Sequence, residues 1–366
     1  IQWKSMENAF SYCENLVINA SDTPDLSQVT NMSYMFFQAE KVNQPLNNWD
    51  VSNITNMKNL FFNAYNFNQP LDNWDVSNVT IMDGIFLNAN SFNQPINSWD
   101  VSNITNFSEI FSGASNFNQP LNSWDVSNVT NLYKAFAFSA FNQPLDSWDV
   151  SSVINMKETF TGTIFNKSLD NWDVSSVTNM SRLFSISRFN KNINNWDVSG
   201  VNNMAAMFRD SQFNQPLNNW DVSNVIEMGS LFEEANFFNQ PLSNWDVSNV
   251  ESMSSMFYKA FKFNHPLDNW DVSNTQNMSQ MFREAYNFNQ PLGNWDVSNV
   301  IDMGFMFDNA YNFNQPLNNW NVSNVTMMLA MFNEATNFNQ PLNNWDVSNV
   351  TEMDHMFHGA INFNQP

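Results

Sequence analysis

Tryptophan recurs along this chain at a nearly constant interval, and this regularity limits the possible folds more than any other feature. The interval is 25 residues, except for four consecutive intervals of 24 between Trp124 and Trp220. Self-similarity at a period of roughly 20–50 residues is typical of solenoids, in which each repeat packs on its neighbours. The tryptophans that mark the repeats are Trp49, Trp74, Trp99, Trp124, Trp148, Trp172, Trp196, Trp220, Trp245, Trp270, Trp295, Trp320 and Trp345.

Each repeat contains the same three short motifs in the same order. Residues 49–70 show them: Trp-Asp-Val-Ser-Asn, then Met-x-x-Leu-Phe, then Phe-Asn-Gln-Pro. A degenerate copy precedes the regular ones and has Pro24 in the tryptophan position. We therefore predict a single solenoid domain over residues 1–366. It consists of a degenerate N-terminal unit at 1–35 and about thirteen regular units at 36–366, truncated in mid-unit at the C-terminus.

The apolar spacing within a repeat predicts one short strand and one short helical turn. Leu46, Trp49 and Val51 follow the L-x-x-L-x-L spacing of a strand whose alternate residues point inward. Residues 57–64 place apolar side chains at i, i+3, i+4 and i+7, the stripe of a two-turn helix or a 3₁₀ segment. The predicted fold class is therefore an α/β repeat, a right-handed, leucine-rich-repeat-like solenoid with one parallel sheet.

The repeat resembles a known family through three motifs that occur together at 211–232 and 286–307. These are Phe-Asn-Gln-Pro-Leu, Trp-Asp-Val-Ser-Asn-Val and Met-x-x-Met/Leu-Phe. The pattern is similar to the BspA-like branch of the leucine-rich repeats, and in particular to the 25-residue mycoplasma-type repeats, which also occur in giant viruses. The resemblance covers essentially the whole chain. It implies a surface-exposed interaction or adhesion protein without enzymatic activity.

Composition excludes several classes of protein. Hydrophobic residues make up 43% of the chain and aromatic residues 15%, which is too much for a disordered protein. A formal charge of −22 argues against binding to nucleic acid through phosphate contacts. No apolar run is long enough to span a membrane, and one cysteine cannot form an internal disulfide. Because the chain starts at Ile1, we expect any leader or anchor to lie outside it.

A column of aspartates follows the tryptophans, and it is the main candidate metal site. Neighbouring carboxylates in such a column repel one another unless they are paired or hydrogen-bonded. One interpretation is a stripe that binds cations, with Ca²⁺ the natural ion for oxygen ligands. The other is a structural ladder in which each carboxylate accepts hydrogen bonds from nearby groups, and Asn321 in one repeat favours it. No cofactor is otherwise predicted. The column includes Asp50, Asp75, Asp100 and Asp125.

Basic residues collect in the four 24-residue repeats. This stretch contains seven of the 13 Lys and Arg residues and is nearly neutral, whereas the rest of the chain is strongly acidic. The predicted local structure puts these side chains on the flanks and the convex side. One interpretation is a contact for a partner or for a second copy of the chain, and the other is drift among duplicated repeats. The candidates for partner binding are Lys134, Lys157, Lys167, Arg182, Arg188, Lys191 and Arg209.

These observations favour a protein that binds others over an enzyme. Catalysis needs a singular constellation of groups, whereas this sequence offers the same groups in every repeat. We therefore predict a surface-exposed scaffold for protein or surface glycan, located at a cell surface, outside the cell or on a virion. The alternative is a structural component of a larger assembly, packed laterally or end to end. The open ends of a solenoid would then be covered by a neighbour or by self-association.

Overall fold

A computed structural model describes residues 3–20 and 22–366, and the chain divides into two compact units, Ile1–Val177 and Thr178–Pro366. The described part contains no α-helix and no strand of more than one residue. Consecutive repeats are instead joined by single parallel bridges. In the first unit these bridges link Asn31 to Asn56, Asn56 to Ile81, Asn106 to Asn131 and Asn131 to Asn155. In the second they link Asn179, Asn203, Glu227, Ser252, Asn277, Asp302, Met327 and Glu352 in turn.

The predicted strand at Leu46–Val51 is wrong in its position, although the predicted parallel pairing of repeats is present. The bridge lies at Asn56, five residues after Val51. Over the predicted strand the backbone bends instead, because Trp49 N–H donates to Leu46 O at 3.0 Å and Ile54 N–H to Val51 O at 2.9 Å. Leu46 and Val51 still point inward and are buried, so two tight turns reproduce the apolar spacing of a strand.

The predicted helix at 57–64 is also wrong, and a ribbon of successive turns stands in its place. We call the eight residues from the Met position to the Ala position of each repeat, such as 57–64, the turn ribbon. Asn59 and Asn63 adopt left-handed backbone angles, with φ of 50° and 55°. A residue with positive φ at every fourth position interrupts an α-helix, because the right-handed helix requires negative φ throughout.

The hydrogen bonds of the turn ribbon alternate in direction. The N–H groups of Met57, Asn59, Phe61 and Asn63 donate to carbonyls of the next repeat at 2.8–3.0 Å. The N–H groups between them donate within the ribbon, for example from Leu60 to Met57 O at 3.2 Å. The ribbon therefore joins adjacent repeats as a strand would, while every second residue closes a local turn.

The same two left-handed positions recur in every repeat, including one that the sequence did not reveal. Residues 6–13 form a turn ribbon with positive φ at Asn8 and Tyr12, and Met6 N–H donates to Asn31 O at 2.8 Å. The signal was present, since Met6-x-x-Ala-Phe10 matches the Met-x-x-Leu-Phe motif. The region predicted as one degenerate unit therefore contains an additional ribbon.

Aromatic columns fill the core, and here the prediction is confirmed. The Phe61 and Phe86 rings stack at 5.7 Å between centroids, and the Trp74 and Trp99 rings stack at 6.4 Å. The Trp74 indole N–H also donates to Leu46 O of the preceding repeat at 2.9 Å. Each buried indole thus satisfies its one polar group inside the core, as a buried tryptophan requires.

Asparagine ladders run beside these columns and account for the abundance of asparagine. Asn68 N–H donates to Asn43 Oδ1 at 2.9 Å, and Asn93 N–H donates to Asn68 Oδ1 at 3.0 Å. The Gln94 amide donates to the same Asn68 Oδ1 at 2.9 Å. Asn68 Oδ1 therefore accepts two bonds from the following repeat. The single-domain prediction and the right-handed winding remain predictions.

Replacing Trp220 with Ala should destabilise the second unit by about 3–5 kcal/mol, as for other buried aromatic truncations. The Trp220 side chain is 3% exposed, stacks on Trp245 at 6.4 Å and donates to Ile193 O at 3.0 Å. Thermal unfolding followed by circular dichroism measures the change, with Ile361→Ala at an exposed position as control. A loss below about 1 kcal/mol would contradict the packing described here.

Two Ala→Gly substitutions in one ribbon should have opposite effects. Ala330 has a φ of 52°, so glycine there removes a strain of about 1 kcal/mol and should raise the melting temperature. Ala335 is fully buried without positive φ, so glycine there should cost about 0.5–1 kcal/mol. Unfolding curves of the two variants test this, and a lower melting temperature for Ala330→Gly would refute the strained ribbon.

Candidate interaction surface on the turn ribbons

The aspartate column forms a series of closed local turns. Asp50 Oδ1 accepts the Ser52 N–H at 3.1 Å and the Ser52 hydroxyl at 2.6 Å. Both bonds lower the pKa of Asp50, and the hydroxyl bond has the larger effect. Asn321 makes the same pair of bonds to Ser323, at 3.2 and 2.8 Å, without a charge. One carboxylate oxygen in each of these turns is therefore used to hold the backbone.

No larger acidic cluster accompanies the column. Across residues 3–20 and 22–366, no group of three or more His, Cys, Asp or Glu residues is arranged to hold a metal ion. The pKa of Asp75 is lowered chiefly by Ser77, while the neighbouring Asp50 acts in the opposite direction. Adjacent carboxylates thus repel weakly, and the serine bonds outweigh that repulsion. Cation binding at Asp50, Asp75, Asp100 and Asp125 remains a prediction.

Substitutions at Asp221 separate hydrogen bonding from charge. The bonds from Ser223, hydroxyl first, lower the pKa of Asp221. The carboxylate therefore contributes stability above its ordinary pKa of about 3.9 and loses it as the pH falls through the lowered folded value. At pH 7 we expect Asp221→Ala to cost roughly 0.5–1 kcal/mol and Asp221→Asn to cost less.

Melting temperatures of the three proteins between pH 2 and pH 7 provide the measurement. In Asp221→Asn the acid-dependent contribution of this residue should be absent. Equal destabilisation by Asn and Ala, together with a rise in wild-type melting temperature on adding Ca²⁺, would favour the cation-binding interpretation instead.

Lys134 and Lys157, two of the seven predicted partner-binding residues, lie together in the first unit. Their ammonium groups lie 5.0 and 5.8 Å from the centroid of the Tyr133 ring. Both also approach Glu158, at 3.6 and 4.0 Å. A hydrogen bond with the Tyr133 side chain raises the pKa of Lys134, and the charge of Glu158 adds to this effect. The charge of Glu109 in the preceding repeat also raises the pKa of Lys134, so two cations and two carboxylates meet at this site.

Exposed apolar side chains occur in the same two repeats. Phe138 is 54% exposed, and its ring covers Gly162 of the next repeat. Its backbone is left-handed, with a φ of 55°. Ile164, two residues after Gly162, is 44% exposed. An aromatic residue with positive φ is uncommon, and such a conformation persists only where the surrounding structure fixes it. We call Tyr133, Lys134, Phe138, Lys157 and Ile164 the basic–apolar patch.

Lys167 has different neighbours from the other two lysines of the first unit. It lines a shallow surface hollow with Pro144, Asp146 and Asp170, in the segment that corresponds to the Phe-Asn-Gln-Pro turn. Acidic side chains thus surround it, and it does not belong to the basic–apolar patch.

The remaining predicted residues lie in the second unit, and one of them is already paired. Arg209 Nε lies 3.1 Å from Glu233 Oε1 as an ion pair. The adjacent Asp210 has a raised pKa, because of its burial and then the charge of Glu234. Arg182, Arg188 and Lys191 are exposed. Glu233, which lies outside the basic stretch, thus neutralises Arg209, and partner binding by the seven basic residues remains a prediction.

Sequence reasoning missed the charge pairs that continue along the ribbons of the second unit. Lys259 Nζ lies 3.2 Å from Glu234 Oε1, and Arg283 Nε lies 2.8 Å from the buried Asp308. The Arg283 guanidinium also lies 5.4 Å from the Tyr258 ring centroid. Glu234 and Lys259 are the seventh residues of successive ribbons, and Arg283 and Asp308 are the sixth. Opposite charges at the same position of successive repeats could therefore have predicted these pairs.

An aromatic ladder on the surface of the second unit was also missed. Phe261, Tyr286 and Tyr311 occupy equivalent positions in three repeats, and their rings stack at 4.7 and 4.9 Å. Tyr286 has a raised pKa, because of its burial and then the charge of Glu284. Within residues 3–20 and 22–366, no helical segment has the length and apolar character of a membrane span.

The turn ribbons, buried columns and asparagine ladders define a repeat solenoid. The sequence matches the family described as "Mycoplasma protein of unknown function, DUF285" in six overlapping segments. The chain therefore belongs to this family, and the resemblance to BspA-like repeats is confirmed. The matched segments are 4–119, 72–167, 93–188, 162–269, 185–292 and 252–366.

Solved structures with similarity to the chain include bacterial and plant proteins. An internalin of Listeria monocytogenes is 10% identical, with 85% of this chain and 83% of that one covered and a TM-score of 0.21. The leucine-rich-repeat ectodomain of a plant membrane receptor kinase from Arabidopsis thaliana is 9% identical, with coverage of 87% and 50% and a TM-score of 0.26. A leucine-rich-repeat protein of Leptospira interrogans is 9% identical, with coverage of 87% and 79% and a TM-score of 0.21.

No curated protein matches the sequence.

Proposed function

We propose that this chain is a non-enzymatic repeat scaffold that binds protein partners through the outward positions of its turn ribbons. The observation that carries this proposal is the contrast between inward and outward positions. The fifth ribbon residue is Phe in every repeat and is buried in all but the first and last ribbons, as at Phe86, Phe111 and Phe136. The third ribbon residue is Glu109 in one repeat and Lys134 in the next, and both are half-buried.

This contrast separates two kinds of selection on one repeat. Identical inward residues serve the packing that every repeat needs. Outward residues that change charge and size from repeat to repeat give each part of the surface its own chemistry. Such a surface suits recognition of a partner that extends over several repeats, because each repeat contributes a different contact.

The basic–apolar patch is the best-defined candidate surface for a partner in the first unit. An exposed aromatic ring in the same two repeats as two lysines suits the centre of a protein interface, where aromatic residues supply most of the contact energy. Because the patch combines two lysines with exposed apolar side chains in a strongly acidic chain, it favours an acidic partner segment that also carries apolar side chains.

A catalytic role receives no support from the arrangement of side chains. The column residues recur with the same bonds in successive repeats, and a repeated turn does not supply the singular group that catalysis needs. We propose a location at a cell surface, outside the cell or on a virion. A surface glycan is the alternative to a protein ligand.

Assembly into a larger structure is the second candidate function, and the aspartate column favours it. Asp50, Asp75 and Asp100 are exposed at one position in three successive repeats. A surface that repeats its charge at a constant interval can pack against another periodic surface in register. A shell, a fibre or a surface layer built from copies of this chain would use that property.

Peptide selection on the basic–apolar patch tests the first candidate. Random 12-residue peptides displayed on phage are selected on the immobilised chain, and the enriched peptides are synthesised and titrated at low and high salt. We expect acidic peptides with apolar residues. Their affinity should fall at least tenfold for Lys134→Glu/Lys157→Glu and for Phe138→Ala, and the lysine effect should weaken as salt is added.

Lys58→Glu, at an exposed lysine of another repeat in the same unit, is the matched control and should retain affinity. Equal affinity for all variants would refute the patch as the binding site. Sedimentation velocity of the same proteins addresses assembly. Growth of the particle with concentration that Asp75→Asn/Asp100→Asn abolishes would favour the second candidate.

A further inference from the structure

Trp74 shows how a tryptophan of the repeat can occupy a slot between two aromatic groups. In the first unit, the Trp74 ring lies 6.2 Å from Phe61 and 6.4 Å from Trp99. Its N–H donates to Leu46 O, and its side chain is 3% exposed. The neighbouring ribbon, the next indole and a backbone carbonyl thus form a slot that fits one indole.

Trp3 lines the corresponding slot of the first repeat, where Pro24 stands in the tryptophan position. A cavity of about 400 Å³ opens beside this residue. This volume lies within the range of small-molecule sites in proteins, roughly 300–1,000 Å³. The groups that line the cavity include Met6, Phe10, Ile18, Pro24, Pro45 and Trp49.

The walls of this cavity are the groups between which an indole lies in other repeats. Phe10 is the fifth residue of the ribbon at 6–13, as Phe61 is in its own ribbon, and it stacks on Phe36 at 5.8 Å. Trp49 is the indole of the next repeat, and its side chain is partly exposed, whereas Trp99 is 2% exposed. Proline therefore leaves a space next to Trp49 that an indole fills elsewhere.

The rim of the cavity also carries polar groups. Asp22, Thr23 and Gln44 line it together with the apolar residues. An aromatic ligand with one N–H group needs such an acceptor when it is buried. Apolar cavities in proteins bind planar aromatic molecules when their size matches, because the ligand restores lost packing contacts.

We propose that this cavity is a binding site for one aromatic ring system of the size of indole. The ring belongs either to a free aromatic molecule or to an aromatic side chain of a peptide. This site goes beyond the scaffold function proposed above, because it lies at a different place from the basic–apolar patch and recognises its ligand by shape rather than by charge.

Binding of two probes to the complete chain tests the proposal. Indole and N-acetyl-tryptophanamide are titrated by isothermal calorimetry and by saturation-transfer NMR. Indole should bind saturably with one molecule per chain. Binding of the second probe as well identifies a site that also accepts a peptide side chain, whereas binding of indole alone identifies a site for free molecules.

Filling the cavity supplies the decisive comparison. Pro24→Trp restores the repeat pattern, so it should abolish indole binding and raise the melting temperature. Ile18→Trp fills the space from another wall and should also abolish binding, which protects the test if one variant folds poorly. Ile361→Trp adds an indole at a position 80% exposed in the second unit and should retain binding.

The absence of saturable indole binding to the wild-type chain would overturn the proposal. Binding that persists in folded Pro24→Trp and Ile18→Trp would overturn it too, because the indole would then occupy another place.

Discussion

Hydrogen bonding between backbones of successive turn ribbons is the constraint on which the other features depend. Every second N–H of a ribbon, such as those of Asn59 and Phe61, must reach a carbonyl of the next repeat. The chain meets this demand by taking positive φ at the third and seventh ribbon residues. This backbone turns the ribbon Phe and the residues at the Met and Ala positions inward, and it leaves some of the positions between them, such as Phe138, on the surface.

The repeat period, the buried columns and the parallel pairing of repeats could be predicted from the sequence, because they follow from apolar side chains at constant spacing. The local backbone conformation could not be predicted from the sequence. Apolar residues at i, i+3, i+4 and i+7 fit a two-turn helix and a turn ribbon equally well. The distinguishing feature is positive φ at Phe138 and Ile186, residue types that disfavour it. Contacts between repeats therefore override local preference at these positions.

The arrangement of charged residues could likewise be predicted only in part from the sequence. The aspartate column is visible in the sequence, and its serine partners two residues later suggest the local turn found at Asp50. The neighbours of the basic residues were harder to foresee. Arg209 meets Glu233 only because the ribbons place residues 24 apart side by side. Counting charges along the chain thus identified the stretch of interest, while the stacking of repeats determined which cations remain available to a partner.

The asparagine ladders have a consequence for how such a chain can change over evolutionary time. Asn68 accepts bonds from Asn93 and Gln94 and donates to Asn43, so its partners all lie in the two adjacent repeats. Duplication or deletion of one whole repeat inside a unit re-creates the same partners at the new junction. Length can therefore vary by gene duplication with little loss of stability, while the outward residues of each new copy diverge separately.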